Sequence, residues 1–226
     1  LTDEDNMIKA NYQTLKDRIW KAALRSGRNP QNIRLIAVTK YVGIEEVRQA
    51  VELGIKDFGE NRVQEGAKKI AAFPDLRWHF IGHLQSNKVK QVLPNYVLIH
   101  SLDRVSLAQA LQRYAEKNDK MANVLVQVNV AGEDSKYGLA PAELAYFLKE
   151  LKSYDRLRIH GLMTIAPYLD DSEQVRPIFQ ELRRLRDENR TPERQLPELS
   201  MGMTNDYEVA VEEGATMIRV GSALFQ

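Results

Sequence analysis

The sequence predicts an α/β fold: a single (β/α)8 barrel of the TIM type with an extra helix at its N-terminal end. Three observations carry this prediction. Short apolar runs rich in β-branched residues alternate with amphipathic helical stretches, giving eight strand candidates, of which the first seven are each followed by a helix or helix-like stretch. Strands that alternate with helices pair in parallel through right-handed crossovers. The length of 226 residues suits one such barrel. No G-x-G-x-x-G turn follows the first strand, as a doubly wound dinucleotide-binding sheet would require. One domain over residues 1–226 is expected, with residues 1–26 forming a helix that packs on the barrel.

The elements follow in order. Ile8, Tyr12, Leu15, Ile19 and Ala22 recur at steps of four and three, which puts them on one face of a helix over residues 5–24. Gly27 and Pro30 break it. The run 33–38 is the first strand, and the helix IEEVRQAVEL after it stops at Gly54. DFGEN and the helical VQEGAKKIAAF come next, then the strand RWHFIGH and a short helix opened by Ser86. YVLIHS is the fourth strand, followed by the helix LDRVSLAQALQRYAEK. The clearest strand is NVLVQVNV, residues 123–130, and Pro141 then starts a helix. LRIHGLMTI is strand six, SEQVRPIFQELRRLRDENR a long charged helix, ELSMG strand seven, NDYEVAVEEG a helix ended by Gly214, and TMIRVGSAL strand eight. Little chain remains for an eighth helix, so the N-terminal helix is expected to cover the seam where strands one and eight meet.

Composition narrows the function. Lys and Arg number 32 against 31 Asp and Glu, for a net charge of +1, so no global field draws the chain to nucleic acid or anionic membrane. There is no cysteine, which excludes disulfides, thiolate nucleophiles and cysteine zinc sites. The opening LTDEDNMIKANYQTL is acidic and does not read as a secretory leader. No run approaches the roughly 18 apolar residues of a membrane span. A soluble, cytoplasmic protein is expected.

Barrels of this kind gather their chemistry at the carboxyl ends of the strands. Those ends carry Thr39 and Lys40; Gly59, Glu60, Asn61 and Arg62; His79, Gly82 and His83; His100 and Ser101; Asn129; Met163 and Thr164; Ser200, Met201 and Gly202; and Arg219, Gly221 and Ser222. Lys40 is the sharpest candidate, because a poorly solvated amine attacks carbonyls. Position alone favours a lysine that snorkels out of a strand end. The C-terminal turns shift the balance. SMGMTND joins a hydroxyl, a glycine, and Thr204 and Asn205 at a helix start, and VGS adds a second glycine and hydroxyl. Helix starts bind anions, and phosphate sites follow strands seven and eight in these barrels. Thr204 or Asn205 also reads simply as a helix cap. An amine beside a phosphate cradle points to a phosphorylated aldehyde. Arg219 and Gly221 share one side of strand eight, and spacing leaves open whether that side is the barrel mouth or an outer salt bridge. His79 and His83 lack a third ligand nearby, so core or hydrogen-bonding roles outweigh zinc. P-loops, HExxH and serine nucleophile elbows do not occur.

The blocks AVTK, FGENRVQE, WHFIGHLQSNK, GLMTI and LSMGMTNDYEVAVEEGATMIRVG resemble the YggS/PROSC family of pyridoxal-phosphate-binding proteins, in order and from about Ile33 onward. The resemblance implies a monomeric barrel like the N-terminal domain of alanine racemase, and a role in vitamin B6 homeostasis without established turnover. It implies pyridoxal 5'-phosphate (PLP) held on Lys40 as an internal aldimine, with Arg219 facing the pyridine nitrogen. Ser200, Met201, Gly202, Met203, Gly221 and Ser222 fall in the segments that hold the phosphate, and Asn61, His83 and Met163 in segments that line the cofactor. Family members usually continue as VGRAIFG; here Ser222 stands in the arginine's place. An arginine cannot accept a proton from the ring nitrogen, so that nitrogen stays neutral and the ring is a poor electron sink. No second domain bringing an opposing acid–base residue is expected. A carrier or regulator of PLP follows, serving PLP-dependent apo-enzymes or a regulatory protein partner. A small PLP-dependent racemase-like enzyme, a Schiff-base aldolase and a pure interaction protein are the alternatives.

Overall fold

The computed structural model describes residues 3–133 and 136–226, with side chains from residue 7. Eight parallel strands close into a barrel in sequence order. They are β1 (Arg34–Val38), β2 (Asp57–Glu60), β3 (Arg77–Phe80), β4 (Leu98–Leu102), β5 (Ala122–Gln127), β6 (Leu157–Met163), β7 (Glu198–Ser200) and β8 (Met217–Val220). The seam is a true ladder, with Arg34, Leu35, Ile36 and Ala37 of β1 opposite Met217, Ile218, Arg219 and Val220 of β8.

The helices around the barrel are α1 (Asp3–Arg25), α2 (Ile44–Glu52), α3 (Val63–Ala72), α4 (Val89–Val92), α5 (Val105–Lys117), α6 (Leu144–Glu150), α7 (Arg176–Glu188), α8 (Tyr207–Glu212) and α9 (Ser222–Phe225). The expected N-terminal helix forms, and Ile8, Leu15, Ile19 and Ala22 are buried as its spacing requires. It lies along α8 and α9. Asn11 donates to the carbonyls of Leu224 at 3.2 Å and Gln226 at 3.1 Å, while Arg18 and Arg25 pair with Glu208. Several strands end earlier than expected, β3 at Phe80, β6 at Met163 and β7 at Ser200 among them. β8 stops at Val220 and the chain turns at Gly221 into α9, so the eighth helix exists after all, at four residues. β5 ends at Gln127; Val128 still bridges to Leu139, and Asn129 turns its side chain onto its own loop, donating to Glu133 O at 2.9 Å.

Alternation along the strands divides the apolar residues in two. Phe58, Trp78, Phe80, Ile99, Val124, Leu162, Leu199 and Ile218 belong to the main core between barrel and helices. Ile36, Leu98, Leu125, Met163 and Met217 form a separate small cluster that plugs the barrel interior. His79, His100, Ser200 and Arg219 are buried polar residues of these strands. No helix among the described residues is long and apolar enough to cross a membrane.

Candidate cofactor site

β1 delivers Lys40. The end of that strand is fixed by a buried cluster: Thr39 donates through Oγ1 to Glu60 Oε1 at 2.5 Å, Lys69 Nζ donates to the same oxygen at 2.7 Å, and Lys69 also donates to the Thr39 carbonyl. Glu60 is wholly buried and Lys69 nearly so. A buried ion pair of this kind sets geometry more than it adds stability. Here it fixes the residue before Lys40. Lys40 itself is half-buried, with Nζ over the Tyr41 ring, 4.8 Å from its centroid.

A cavity of about 570 Å³ opens at this carboxyl mouth and brings together Lys40, Asn61, His83, Met203, Arg219, Gly221 and Ser222. Its size is right for a vitamin-sized ligand. Arg219 therefore faces the barrel mouth and not an outer salt bridge. The guanidinium donates to Ser200 Oγ at 2.6 Å and to Thr164 O at 2.8 Å. Burial pushes it down to about 10, so it remains charged at neutral pH. Asn61 Oδ1 lies buried without a protein partner. On one wall His83 stacks on Tyr137, with centroids 3.7 Å apart and planes within 15°.

The C-terminal turns form the other wall. Thr204, Asn205 and Asp206 line the cavity beside Gly221 and Ser222. Thr204 does not cap α8: its hydroxyl accepts from Ser222 Oγ at 3.1 Å and from Ala223 N at 3.4 Å, bridging the turns after β7 and β8. Asp206 precedes α8 and accepts from Met203 N at 2.6 Å, closing the turn instead. Burial raises the Asp206 carboxyl, partly offset by that backbone N–H.

Four of the expected residues lie off the cavity surface. Met163 is in the interior plug, where Ile165, a wall residue, packs on it. Ser200 is wholly buried behind Arg219. Met201 points outward into the main core. Gly202 has φ +95°, and a Cβ there would sit 2.6 Å from the Ala210 methyl of α8. Only glycine allows that turn to dock so close. Gly202→Ala is expected to cost about 1–3 kcal/mol through overpacking and strain, read as a lowered unfolding midpoint. Ile81 and Ile165 also line the cavity and were not singled out from sequence. Each stands two residues from a chosen one, His83 and Met163, so strand alternation contained the signal.

His79 and His100 are hydrogen-bonded core residues. They contact each other and lie between Asp57 and Ser200, and no metal-binding group of three or more His, Cys, Asp or Glu occurs among the described residues.

Fold and cavity together define a class: a closed parallel barrel with one carboxyl-mouth cavity built around an amine, a buried arginine and two hydroxyl-bearing turns. Residues 6–226 match the family model described as the alanine racemase N-terminal domain, and the chain belongs to that family. It is 48% identical over 212 residues to the pyridoxal phosphate homeostasis protein of Aquifex aeolicus, covering 92% of this chain and 93% of the relative. It is 38% identical to the protein of that name from Escherichia coli, covering 97% and 96%. Among solved structures it is similar to PipY of Synechococcus elongatus with PLP bound, at 38% identity and TM-score 0.81, covering 93% of this chain and 99% of that one. An alanine racemase from Clostridium difficile shares the fold at 14% identity and TM-score 0.75, with this chain spanning 56% of it.

Proposed function

We propose that this chain binds pyridoxal 5'-phosphate at the carboxyl mouth of its barrel and acts in vitamin B6 homeostasis as a carrier or regulator, without a catalytic turnover of its own. One observation carries the reading: Lys40 and Arg219, from opposite ends of the sequence, line the same cavity between adjacent strands. Relatives named for pyridoxal phosphate homeostasis, and one solved with PLP bound, support it.

The residues present fit the group. Lys40 would hold the aldehyde through its amine. Thr204, Gly221 and Ser222 offer hydroxyls and close backbone approach to the phosphate, a role that the missing arginine at Ser222 leaves to neutral groups. Asn61 Oδ1 is an unpartnered acceptor, and His83 stacked on Tyr137 gives a flat wall. Arg219, lining the same cavity, would be the partner of the pyridine nitrogen. When bound, PLP supplies a reactive aldehyde and an electron-accepting ring, and the protein decides how strongly that ring draws electrons. Arg219 stays protonated at neutral pH and can only donate, so it leaves the nitrogen neutral and the ring a weak acceptor. That suits holding and handing on the cofactor. PLP-dependent apo-enzymes are the proposed recipients, and the cytoplasm the proposed location.

The test is reduction with borohydride followed by peptide mapping. A single stable adduct on Lys40 is expected. Lys40→Ala is expected to lose it completely and to be colourless after dialysis. An adduct on another lysine, such as Lys136, or steady conversion of an amino acid that depends on Lys40, would overturn the reading.

A further inference from the structure

Five buried polar side chains run in a row through the inside of the barrel, and the proposed function uses only the last. Asp57 begins β2 at the amino mouth, where it lines a second cavity with Arg34 and Arg77. Its Oδ1 lies 3.0 Å from His79 Nε2. His79 Nδ1 lies 3.0 Å from His100 Nε2, and His100 Nδ1 lies 2.9 Å from Ser200 Oγ. Ser200 Oγ in turn accepts from Arg219 Nη1 at 2.6 Å. None of the five is more than 5% exposed.

The chemistry of the two ends fixes every proton between them. Asp57 is bidentate to Arg77 and held down to about 2 by His79 and Arg77 against the opposing cost of burial, so it is ionised and only accepts. His79 must then carry its proton on Nε2. Burial lowers both imidazoles, so both are neutral, and the bare His79 Nδ1 accepts from His100 Nε2–H. His100 Nδ1 is therefore bare and accepts the Ser200 hydroxyl proton. Arg219, which can only donate, demands the same direction from the other end. A single arrangement with neutral rings satisfies all four bonds: Arg219 to Ser200 to His100 to His79 to Asp57.

We infer that this relay is a positioning device for Arg219: it fixes the guanidinium's orientation and links its charge, through three neutral groups, to a carboxylate at the opposite mouth. The proposal rests on the reading of Arg219 as partner of the cofactor ring. No carboxylate within salt-bridge distance of Arg219 occurs among the described residues; Asp206 acts on it only at longer range. Bonds aligned head to tail polarise one another, which favours the cation that burial disfavours. With one Nη1 proton committed to Ser200 and one Nη2 proton to Thr164 O, the guanidinium is held in one orientation where Arg219 lines the cavity.

Two measurements test it. The first needs no cofactor: nitrogen-15 NMR of the imidazoles of the ligand-free protein at neutral pH. The chain has four histidines, so His83→Gln and His160→Gln assign the other two by elimination. Both relay rings are expected neutral with the proton on Nε2. A charged ring, or a proton on either Nδ1, overturns the relay. The second uses protein loaded with PLP. Ser200→Ala is expected to shift the absorbance maximum of the bound cofactor and to weaken its retention about tenfold, the loss of one charge-assisted bond. Ser200→Thr, which keeps the hydroxyl, restores both. A folded Ser200→Ala protein with wild-type spectrum and affinity overturns the positioning role. Failure of the wild-type chain to take up PLP would instead sink the site assignment, and the NMR result would still decide the relay.

Discussion

Lys69→Met is expected to destabilise the fold by about 3–5 kcal/mol, the usual result of removing one partner from a buried ion pair. The cause is the residue left behind. Glu60 is wholly buried, and its Oε2 already lacks a hydrogen-bond partner. Without the ammonium, Oε1 keeps only the Thr39 hydroxyl, and the Thr39 carbonyl loses a donor. For a chain of this size that loss lowers the unfolding temperature by roughly 6–20 °C. Thermal unfolding of Lys69→Met against the double variant Glu60→Gln/Lys69→Met checks the cause. The double variant removes the stranded charge and is expected to recover most of the loss. Equal stability of the two would show that lost packing, not an unpaired carboxylate, is responsible. The single variant is also expected to retain PLP less well, since the same ammonium holds the residue before Lys40.

The second large effect is acid sensitivity that begins well above the carboxylate range. Burial lowers the His100 imidazole well below its usual value, with the nearby charge of Arg219 adding to this, and lowers His79 despite its bond to Asp57. The unfolded chain takes up these protons near pH 6.5 while the folded chain refuses them. Stability is therefore full above about pH 6.5 and falls as pH drops below it, with a limiting slope of about 1.4 kcal/mol per pH unit for each histidine. His160, lowered by partial burial, adds a smaller contribution of the same sign. Asp57 acts in a separate window: with its carboxyl lowered to about 2, its contribution is present above about pH 4 and is lost as pH falls through about 2. Urea titrations from pH 8 to 4 test this. A flat stability profile between pH 6.5 and 4.5 would contradict neutral buried imidazoles. His100→Gln is expected to reduce the slope there while lowering stability at pH 8.

Much of this was written into the sequence. The alternation of strand and helix, the glycine stops and the helical spacing of Ile8, Leu15, Ile19 and Ala22 are local signals, and they gave the barrel, its order and the seam helix. Lys40 and Arg219 were legible because barrel topology converts strand ends into neighbours. The turns proposed to hold the phosphate were legible as segments but not as wall positions: Met201 and Gly202 sit in that stretch, yet one faces the helices and the other is consumed by docking α8. Met163 lies a layer too deep for the same reason, since alternation fixes the side of a strand but not the height within the barrel. The relay was the least legible. His79, His100 and Ser200 come from three strands, and nothing in sequence spacing says that their rings and hydroxyl align; the register of the closed sheet does that.

The seam between β1 and β8 joins the first strand to the last, with α1 tied across it to the carbonyls of Leu224 and Gln226. Lys40 precedes almost the whole barrel in the order of synthesis, and Arg219 follows it. An emerging chain thus exposes the amine long before it possesses the arginine or the turns around Gly221. The mouth cavity is completed only when the last strand docks, so partly synthesised or truncated copies are expected to lack the proposed cofactor site.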